Sequence, residues 1–368
     1  FRRVLFRSTH DLPVRYIKSV VTDDRGRFVV PDLPKANYSV WARGYGLVDS
    51  AKTTSAPGRM VNITAVPAPD AAAAAHYYPA VYWFSMLKIP PASDFDGKTI
   101  PAGITQSDYL NNLKNNGCVG CHQLGQQSTR TLPAALSTLT PEQAWLRRIS
   151  SGQAGELMVG IMARDLKSVP LKYFGDWTTR IAKGELPKAK PERPQGVERN
   201  IVVTLRDWMN EKQYLHDLIT TDKRYPTVNG YGPIVGSPEY SSDNLPILDP
   251  VTNTATTFHA PVRDADMPVS LGPGHAASDK VMRPSMYWGD EVIWDTHINN
   301  HNSMFDKQGR VWLAAAVRGP NNPDFCKAGS THPSAKLFPI DRNVRQAAVF
   351  DPKSKKYTFV DLRSEEHT

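Results

Sequence analysis

The feature that most constrains this chain is a run of five residues, Cys118-Val119-Gly120-Cys121-His122. Two cysteines separated by two residues, with a histidine directly after the second, form the pattern by which proteins attach c-type haem. The two thiols can bond the two vinyl groups of a haem, and the histidine can bind its iron. The sequence therefore predicts one covalent haem c, attached at Cys118 and Cys121, with His122 as an axial iron ligand.

Two other chemistries use closely spaced cysteines. A thioredoxin-like redox pair requires a βαβ setting and has no role for a histidine directly after the second cysteine. A structural zinc site requires two further ligands at close spacing, and the remaining cysteine, Cys326, lies far downstream. Both alternatives fit the sequence less well than haem attachment.

Length and composition are those of a globular chain with two or three domains. The 368 residues are 40% hydrophobic and 22% charged. The longest apolar stretch, residues 71–84, is interrupted by His76 and Pro79, so we expect no membrane span.

The formal net charge is +8, but the basic residues are scattered along the chain. No arginine-rich face with interleaved aromatic residues is apparent, so we expect no nucleic-acid partner. A mildly basic electron carrier would instead be steered toward an acidic redox partner protein.

Both ends of the sequence resemble translated sequencing-adapter DNA. Residues 1–8 read FRRVLFRS and residues 363–368 read RSEEHT. We expect both segments to be artefacts and the natural chain to be truncated at each end, with its signal peptide missing.

Residues 9–66 have the pattern of short strands separated by turns. A turn is predicted at Asp24–Arg27, followed by strands at Phe28–Val30 and Tyr38–Ala42. The segment resembles the carboxypeptidase regulatory-like domain, which implies a small transthyretin-like β-sandwich. The resemblance depends on Gly26, Phe28, Leu33, Tyr38 and Val40.

A linker rich in alanine and proline is predicted at 67–103, and helical signals follow. One helix is expected to start at Ser107 or Asp108, a second at Thr140, where a capping residue precedes proline, and a third to run from Leu171 to Lys183. Helices on both sides of the five-residue run resemble a class I cytochrome c, which implies an all-α domain at 104–186.

The second axial iron ligand in such cytochromes is usually a methionine. Met158 and Met162 both lie at a suitable distance after His122. We favour Met158, because the glycine-rich stretch before it allows a close approach of the backbone. Met162 is the first alternative, and an open or histidine-ligated iron is the second. Trp145 and Trp177 are expected to pack around the haem, and Arg147 and Arg148 to lie on a solvated helix face.

Residues 187–230 are predicted to form a basic, proline-rich linker and a connecting helix, and residues 231–362 are rich in turns and short strands. Two similar stretches carry Asp249-Pro250 and Asp351-Pro352, and Asp306–Trp312 follows the pattern DxxGxVW. These features resemble the streptogramin lyase-like and NHL-type proteins, which implies a partial β-propeller.

The densest polar cluster in this region contains Asp295, His297 and His301. A metal site or a catalytic pair is conceivable, although histidines four apart share a face only on a helix. No residue can be matched to the catalytic histidine of the lyases. Cys326 is predicted either to form a disulfide with a cysteine in missing sequence or to be a buried thiol.

The expected function is electron transfer by a periplasmic or exported multidomain protein, in which the propeller serves as a platform for a substrate or partner. One alternative is a lyase or dehydrogenase in the propeller that uses the haem as an internal electron acceptor. Another is a protein that binds carbohydrate, a small molecule or a surface partner. The sequence does not decide whether the chain is an enzyme.

Overall fold

The computed structural model describes residues 3–8, 11–263, 265, 267, 269, 283–316, 324–339 and 345–360. The chain divides into two compact units. Unit 1 comprises residues 1–206 and 282–291, and unit 2 comprises residues 207–281 and 292–368. The segment 363–368, predicted to be an artefact, lies outside the described residues.

Unit 1 is built on a five-stranded sheet with the strand order β5-β3-β1-β2-β7. A second, two-stranded sheet joins β4 to β6. The strands are β1 (Arg3–Ser8), β2 (Arg15–Val21), β3 (Tyr38–Arg43), β4 (Leu47–Val48), β5 (Thr53–Ser55), β6 (Val66–Pro67) and β7 (Val203–Asp207).

The adapter-like segment forms the central strand of this sheet. In β1, Val4 pairs with Val20 on one side and with Ala42 on the other. Val4 and Phe6 are buried, and the Phe6 ring meets the rings of Phe28 and Tyr38 edge-on at centroid distances of 6.1 and 6.3 Å. The first described residues therefore contribute to the hydrophobic core of unit 1.

The turn after β2 follows from one aspartate. The Asp23 carboxylate accepts the backbone N–H groups of Arg25 at 2.9 Å and Arg27 at 2.8 Å, and Gly26 has the positive φ of 79° that favours glycine. The predicted turn and the predicted strand at Tyr38 are confirmed. The strand predicted at Phe28–Val30 is wrong, since those residues form no strand.

Seven short helices follow in unit 1. The predicted helix start at Thr140 is confirmed, with reciprocal hydrogen bonds between Thr140 and Gln143, and the helix predicted from Leu171 is also present. The earlier helix is capped by Thr105 and Asp108. The helices are α1 (Ala71–Ala75), α2 (Ala80–Phe84), α3 (Gln106–Asn111), α4 (Gln127–Arg130), α5 (Pro141–Ile149), α6 (Gly155–Gly160) and α7 (Pro170–Ala182).

The helices enclose an aromatic core between α5 and α7. The rings of Trp145 and Phe174 lie 4.9 Å apart, and the indole N–H of Trp145 donates to Thr178 Oγ1 at 3.1 Å. Trp177 is fully buried and donates to the carbonyl of Trp83 at 2.9 Å. Because both indole N–H groups are satisfied, the rings can be buried without an unpaired donor.

The fold class predicted from the sequence, a transthyretin-like β-sandwich followed by an all-α class I cytochrome c domain and a partial β-propeller, is wrong. The described residues contain no separate all-α domain, because α1 to α7 belong to unit 1 together with the five-stranded sheet. The part of the chain that the structure describes is mixed α/β, and its strands form four antiparallel sheets.

The contacts explain why the helices are not a separate body. The predicted linker 67–103 contains α1 and α2, and Tyr78 between them packs edge-on against Tyr45 beside the sheet at 6.1 Å. The guanidinium of Arg43 in β3 lies 4.8 Å from the centre of the Tyr77 ring. After α7 the chain returns to the same sheet as β7.

The described residues of unit 2 form two four-stranded antiparallel sheets and one α-helix, α8 (Pro333–Leu337). In each sheet, strands that are consecutive in sequence are neighbours. The first sheet consists of β8 (Asp217–Ile219), β9 (Ile234–Ser237), β10 (Asn244–Asp249) and β11 (Thr254–His259), and the second of β12 (His301–Phe305), β13 (Val311–Ala316), β14 (Arg345–Asp351) and β15 (Lys356–Val360).

The two similar sequence stretches occupy equivalent places in these sheets. Asp249 is the last residue of β10 and Asp351 the last residue of β14, so each Asp-Pro turn joins the third strand of a sheet to the fourth. The DxxGxVW stretch forms the turn between β12 and β13, where the Asp306 carboxylate accepts from the backbone of Arg310 at 3.0 Å and the indole of Trp312 at 3.0 Å.

In the described part of the chain, none of the helices combines the length and the apolar composition needed to cross a bilayer. The longest of these helices, α7, has 13 residues, whereas a transmembrane helix needs about 20.

Replacing Phe6 with alanine should destabilise unit 1 by about 3 kcal/mol, because a buried aromatic side chain leaves a cavity when it is truncated. Chemical denaturation followed by tryptophan fluorescence measures this change. Met60→Ala is the matched control, since Met60 is 92% exposed. Equal stability of the two variants would show that β1 does not pack in the sheet.

Candidate functional site

The five-residue run lies on a tight turn. The helix α3 continues into a π-helical turn, Asn112–Asn116, which ends at Gly117, and Cys118–Gly120 then forms a 3-10 turn. The Cys118 carbonyl accepts the backbone N–H of His122 at 2.9 Å and that of Cys121 at 3.4 Å. The two thiols and the imidazole are therefore attached to a single closed turn.

Gly117 packs this turn against the methionine-bearing segment. Its N–H donates to the Asn112 carbonyl at 2.6 Å, and a Cβ at this position would clash with that carbonyl and approach Ile161 Cγ2 to 3.3 Å. Ile161 starts a second π-helical turn, Ile161–Asp165, which directly follows α6. A side chain at position 117 would therefore separate the cysteine turn from the segment that carries Met158 and Met162.

Gly125 holds the other side of the turn. It has a φ of 94°, and a Cβ there would overlap the Ala80 carbonyl oxygen and lie 2.8 Å from the Phe84 nitrogen in α2. The carbonyl of Gly125 accepts a hydrogen bond from Arg130 at 2.7 Å. Both the backbone conformation and the close approach to α2 require glycine at this position.

Cys118 is half-buried, and this burial raises the pKa of its thiol. A backbone hydrogen bond lowers the pKa by less, and the neighbouring Cys121 adds a still smaller rise. Reactive cysteines in redox pairs have the opposite shift, because their thiolates are stabilised. In addition, no group of three metal-binding side chains in the described part of the chain includes Cys118 or Cys121. Neither a thioredoxin-like pair nor a zinc site fits this turn.

His122 is held in its neutral form. Partial desolvation of the ring and the positive charge of Arg148 both lower the pKa of His122 below its usual value. A neutral imidazole has a nitrogen lone pair free to bind a metal, so the environment of His122 suits an iron ligand.

The two methionines differ in burial. Met162 is 4% exposed and belongs to the core cluster with Leu113, Trp145 and Phe174. Met158, on α6, is partly buried and packs against the edge of the same cluster, as Cys118 does. Met158 is therefore the methionine with a side chain at the boundary of the core.

A buried hydroxyl lies close to the cysteine turn. Tyr109 is fully buried, its hydroxyl makes no hydrogen bond among the described residues, and its pKa is raised by burial and by the neighbouring Tyr173 and Cys118. Such a donor normally has a partner, so it is available to a polar group bound beside Cys118. Two thiols, an imidazole and a partly buried thioether beside the same core are the side chains that attach haem c and bind its iron.

The two arginines predicted to lie on a solvated face are engaged with backbone groups. Arg148 donates to the Thr131 carbonyl at 3.0 Å and to the carbonyl of Ser128, and burial lowers its pKa. Arg147 donates to the Ser151 hydroxyl and, at 3.0 Å, to the Pro284 carbonyl. Arg148 thus ties α5 to the end of α4 and keeps its charge near His122.

Asp295, His297 and His301, which were predicted to form one polar cluster, lie in different environments. Asp295 is exposed, and His297 pairs with the buried carboxylate of Asp243 at 3.1 Å. His301 instead lies beside His216, at a ring-centroid distance of 4.3 Å. His297 and His301 thus belong to different hydrogen-bonding environments and do not form a pair.

Sequence reasoning missed the partners of His301. His216, Asp217 and His301 can direct ligand atoms to positions within 4.8 Å of one another, and Glu239 lies alongside them. The adjacent polar residues His216 and Asp217 at the start of a strand were the only local signal, because Glu239 and His301 join them through the fold. Cys326 is a half-buried free thiol in a 3-10 turn.

Replacing Arg148 with glutamine should raise the pKa of His122, because the imidazolium would no longer be repelled by a nearby positive charge. A pH titration of the His122 ring by NMR in the haem-free chain measures this. Arg148→Lys retains the charge and should leave the pKa low. A pKa that stays unchanged in the glutamine variant would mean that desolvation alone depresses it.

Comparisons with family models, with curated proteins and with solved structures found no match to this chain. The resemblances drawn from sequence motifs therefore remain expectations. What the chain can do has to be argued from the side chains of the cysteine turn and their surroundings.

Proposed function

We propose that the chain carries one haem c, bonded to Cys118 and Cys121 with His122 as an axial ligand, and that it functions in electron transfer. The observation that carries the proposal is the closed turn on which two thiols and an imidazole with a lowered pKa are adjacent. When bound, the haem would supply a one-electron couple. The protein would supply attachment, axial ligation and a partly apolar setting.

The protonation states of the turn support attachment. A raised pKa keeps the Cys118 thiol protonated at neutral pH, which protects it from oxidation until it bonds to a vinyl group. A lowered pKa keeps the His122 lone pair available over the same pH range. Desolvation is the largest cause of both shifts.

The position of Met158 supports a thioether as the second axial ligand. Met158 and Cys118 both pack at the edge of the core cluster, whereas Met162 is within it. Gly117 allows the cysteine turn to contact Ile161, which lies between the two methionines in sequence. A thioether ligand favours the reduced iron and raises the reduction potential, as suits an electron carrier.

We also propose a cellular location and a redox partner for the protein. The resemblance to bacterial c-type cytochromes implies maturation outside the cytoplasm, so we propose a periplasmic or exported protein. A redox partner protein would exchange electrons with the haem, and the net charge of +8 favours an acidic partner surface. Unit 2 would serve as the platform for a substrate or partner.

Coexpression with haem-attachment machinery should give a chain that keeps its haem after denaturation, because thioether bonds survive unfolding. Mass spectrometry and the spectrum of the reduced protein measure the attached haem. The double variant Cys118→Ser/Cys121→Ser should lose all covalent haem, and Cys326→Ser, the matched control, should keep it. Retention of covalent haem by the double variant would contradict the proposal.

Met158→Ala should abolish the near-infrared absorption band that reports a bond between a thioether and ferric iron. Met162→Ala should keep the band but destabilise the protein by about 2 kcal/mol, since truncating a buried methionine creates a cavity. The reverse pattern, with the band lost only when Met162 is replaced, would assign the ligand to Met162.

A further inference from the structure

Four polar side chains meet in unit 2, from three separate segments of the chain. His216 and Asp217 lie at the start of β8, Glu239 follows β9, and His301 begins β12. His216 Nε2 is 3.4 Å from Glu239 Oε2, and His301 Nε2 is 3.8 Å from Glu239 Oε1. We call these four residues the His-Glu cluster.

Asp217 is already saturated with hydrogen bonds. Its Oδ1 accepts the backbone N–H of Ser303 at 3.0 Å and the Ser303 hydroxyl at 3.3 Å. Its Oδ2 accepts the N–H of Asn302 at 3.1 Å and pairs with His216 Nδ1 at 3.0 Å. These four contacts occupy the acceptor sites of a carboxylate, so Asp217 orients the His216 ring.

Glu239 and His301, in contrast, each have a buried side-chain atom that makes no hydrogen bond among the described residues. The Glu239 side chain is 4% exposed, and its Oε2 makes no hydrogen bond among the described residues. The buried Nε2 of His301 makes none either. In the described part of the chain the ion-pair partners of Glu239 are histidines, so its charge is not balanced by a lysine or arginine.

An unpaired carboxylate is costly to bury unless another group compensates its charge. Glu239 also has a φ of 41°, which lies in the left-handed region that residues other than glycine rarely adopt. The register between β12 and β13 shifts between His301 and Met304, so the regular pairing of β12 is interrupted beside His301. The fold thus holds two unsatisfied ligand atoms close together at some cost in stability.

The separations between these atoms match those of metal ligands. Hydrogen bonds between nitrogen and oxygen are about 2.7–3.2 Å long, so 3.4 and 3.8 Å are too long. Two ligands bound tetrahedrally to zinc at about 2.1 Å lie about 3.4 Å apart. The 3.4 Å distance equals this separation and the 3.8 Å distance exceeds it by 0.4 Å.

We propose that His216 Nε2, His301 Nε2 and the Glu239 carboxylate bind a divalent transition-metal ion of the zinc class. Asp217 is the positioning residue, because it accepts the Nδ1–H of His216 and directs Nε2 toward the metal. Two imidazoles and one carboxylate favour zinc over magnesium or calcium, which prefer oxygen ligands. Three protein ligands leave a fourth position for water or another small ligand.

Calorimetric titration of the full chain with zinc tests the site. The Cys118→Ser/Cys121→Ser background removes competing thiols, which also separates the outcome from that of the haem proposal. The parent in this background should bind one zinc, and Glu239→Gln should weaken binding more than about 100-fold, since loss of an outer-shell partner alone costs 10–100-fold. Asp217→Asn should weaken it about 10-fold, and the control His297→Ala should leave it unchanged.

Thermal unfolding with and without zinc gives a second readout. Without metal, Glu239→Gln should be at least as stable as the parent, because a buried charge is removed, and zinc should no longer raise its melting temperature. If Glu239 only formed an ion pair with the histidines, the same substitution would lower stability without metal. Zinc binding as strong in the glutamine variant as in the parent, or no zinc binding by the parent, would overturn the proposal.

Discussion

The pairing of β1, β2, β3 and β7 in one sheet is the constraint on which unit 1 depends. The chain leaves this sheet after β5 and returns to it as β7, so the intervening helices are tethered at both ends. Tyr78 and Tyr77 add contacts to Tyr45 and Arg43, near the sheet. The turn with Cys118, Cys121 and His122 is thus held by a framework of strands as well as by its neighbouring helices, and its geometry depends on both.

Burial disfavours the charged forms of the ionisable groups in both candidate sites, but the net pKa shift differs between them. At Cys118 and His122 it favours the neutral forms, and a neutral imidazole is the form that binds iron. Asp217 has a lowered pKa although burial alone would raise it, because the backbone N–H groups of Ser303 and Asn302 and the two nearby histidines favour its charged form. Hydrogen bonds determine the direction of the pKa shift at Asp217, whose acceptor sites are filled. Desolvation determines the direction at Cys118 and His122.

Local signals in the sequence predicted much of the local structure. The capping pair Thr140 and Gln143, the turn at Asp23 and the two Asp-Pro turns were all apparent, because each involves residues within four positions of one another. The fold class could not be predicted in the same way. Whether helices form their own domain depends on β7 and Tyr78, whose partners lie far away in sequence. A proline- and alanine-rich composition indicated a linker, although α1 and α2 form there.

The two candidate sites also differ in whether their residues are close together or far apart in the sequence. The residues of the cysteine turn are contiguous, so its chemistry can be inferred from a five-residue motif. The His-Glu cluster is assembled from residues up to 85 positions apart, as the hydrogen bond from Asn302 to Asp217 illustrates. Glu239 has no sequence context that distinguishes it from an exposed glutamate. Only its burial, together with the absence of a hydrogen bond to Oε2 among the described residues, marks it as unusual. A buried carboxylate that has lost its water and gained no donor in exchange requires a compensating positive charge, and two imidazoles beside it supply the ligands with which a metal ion would provide that charge.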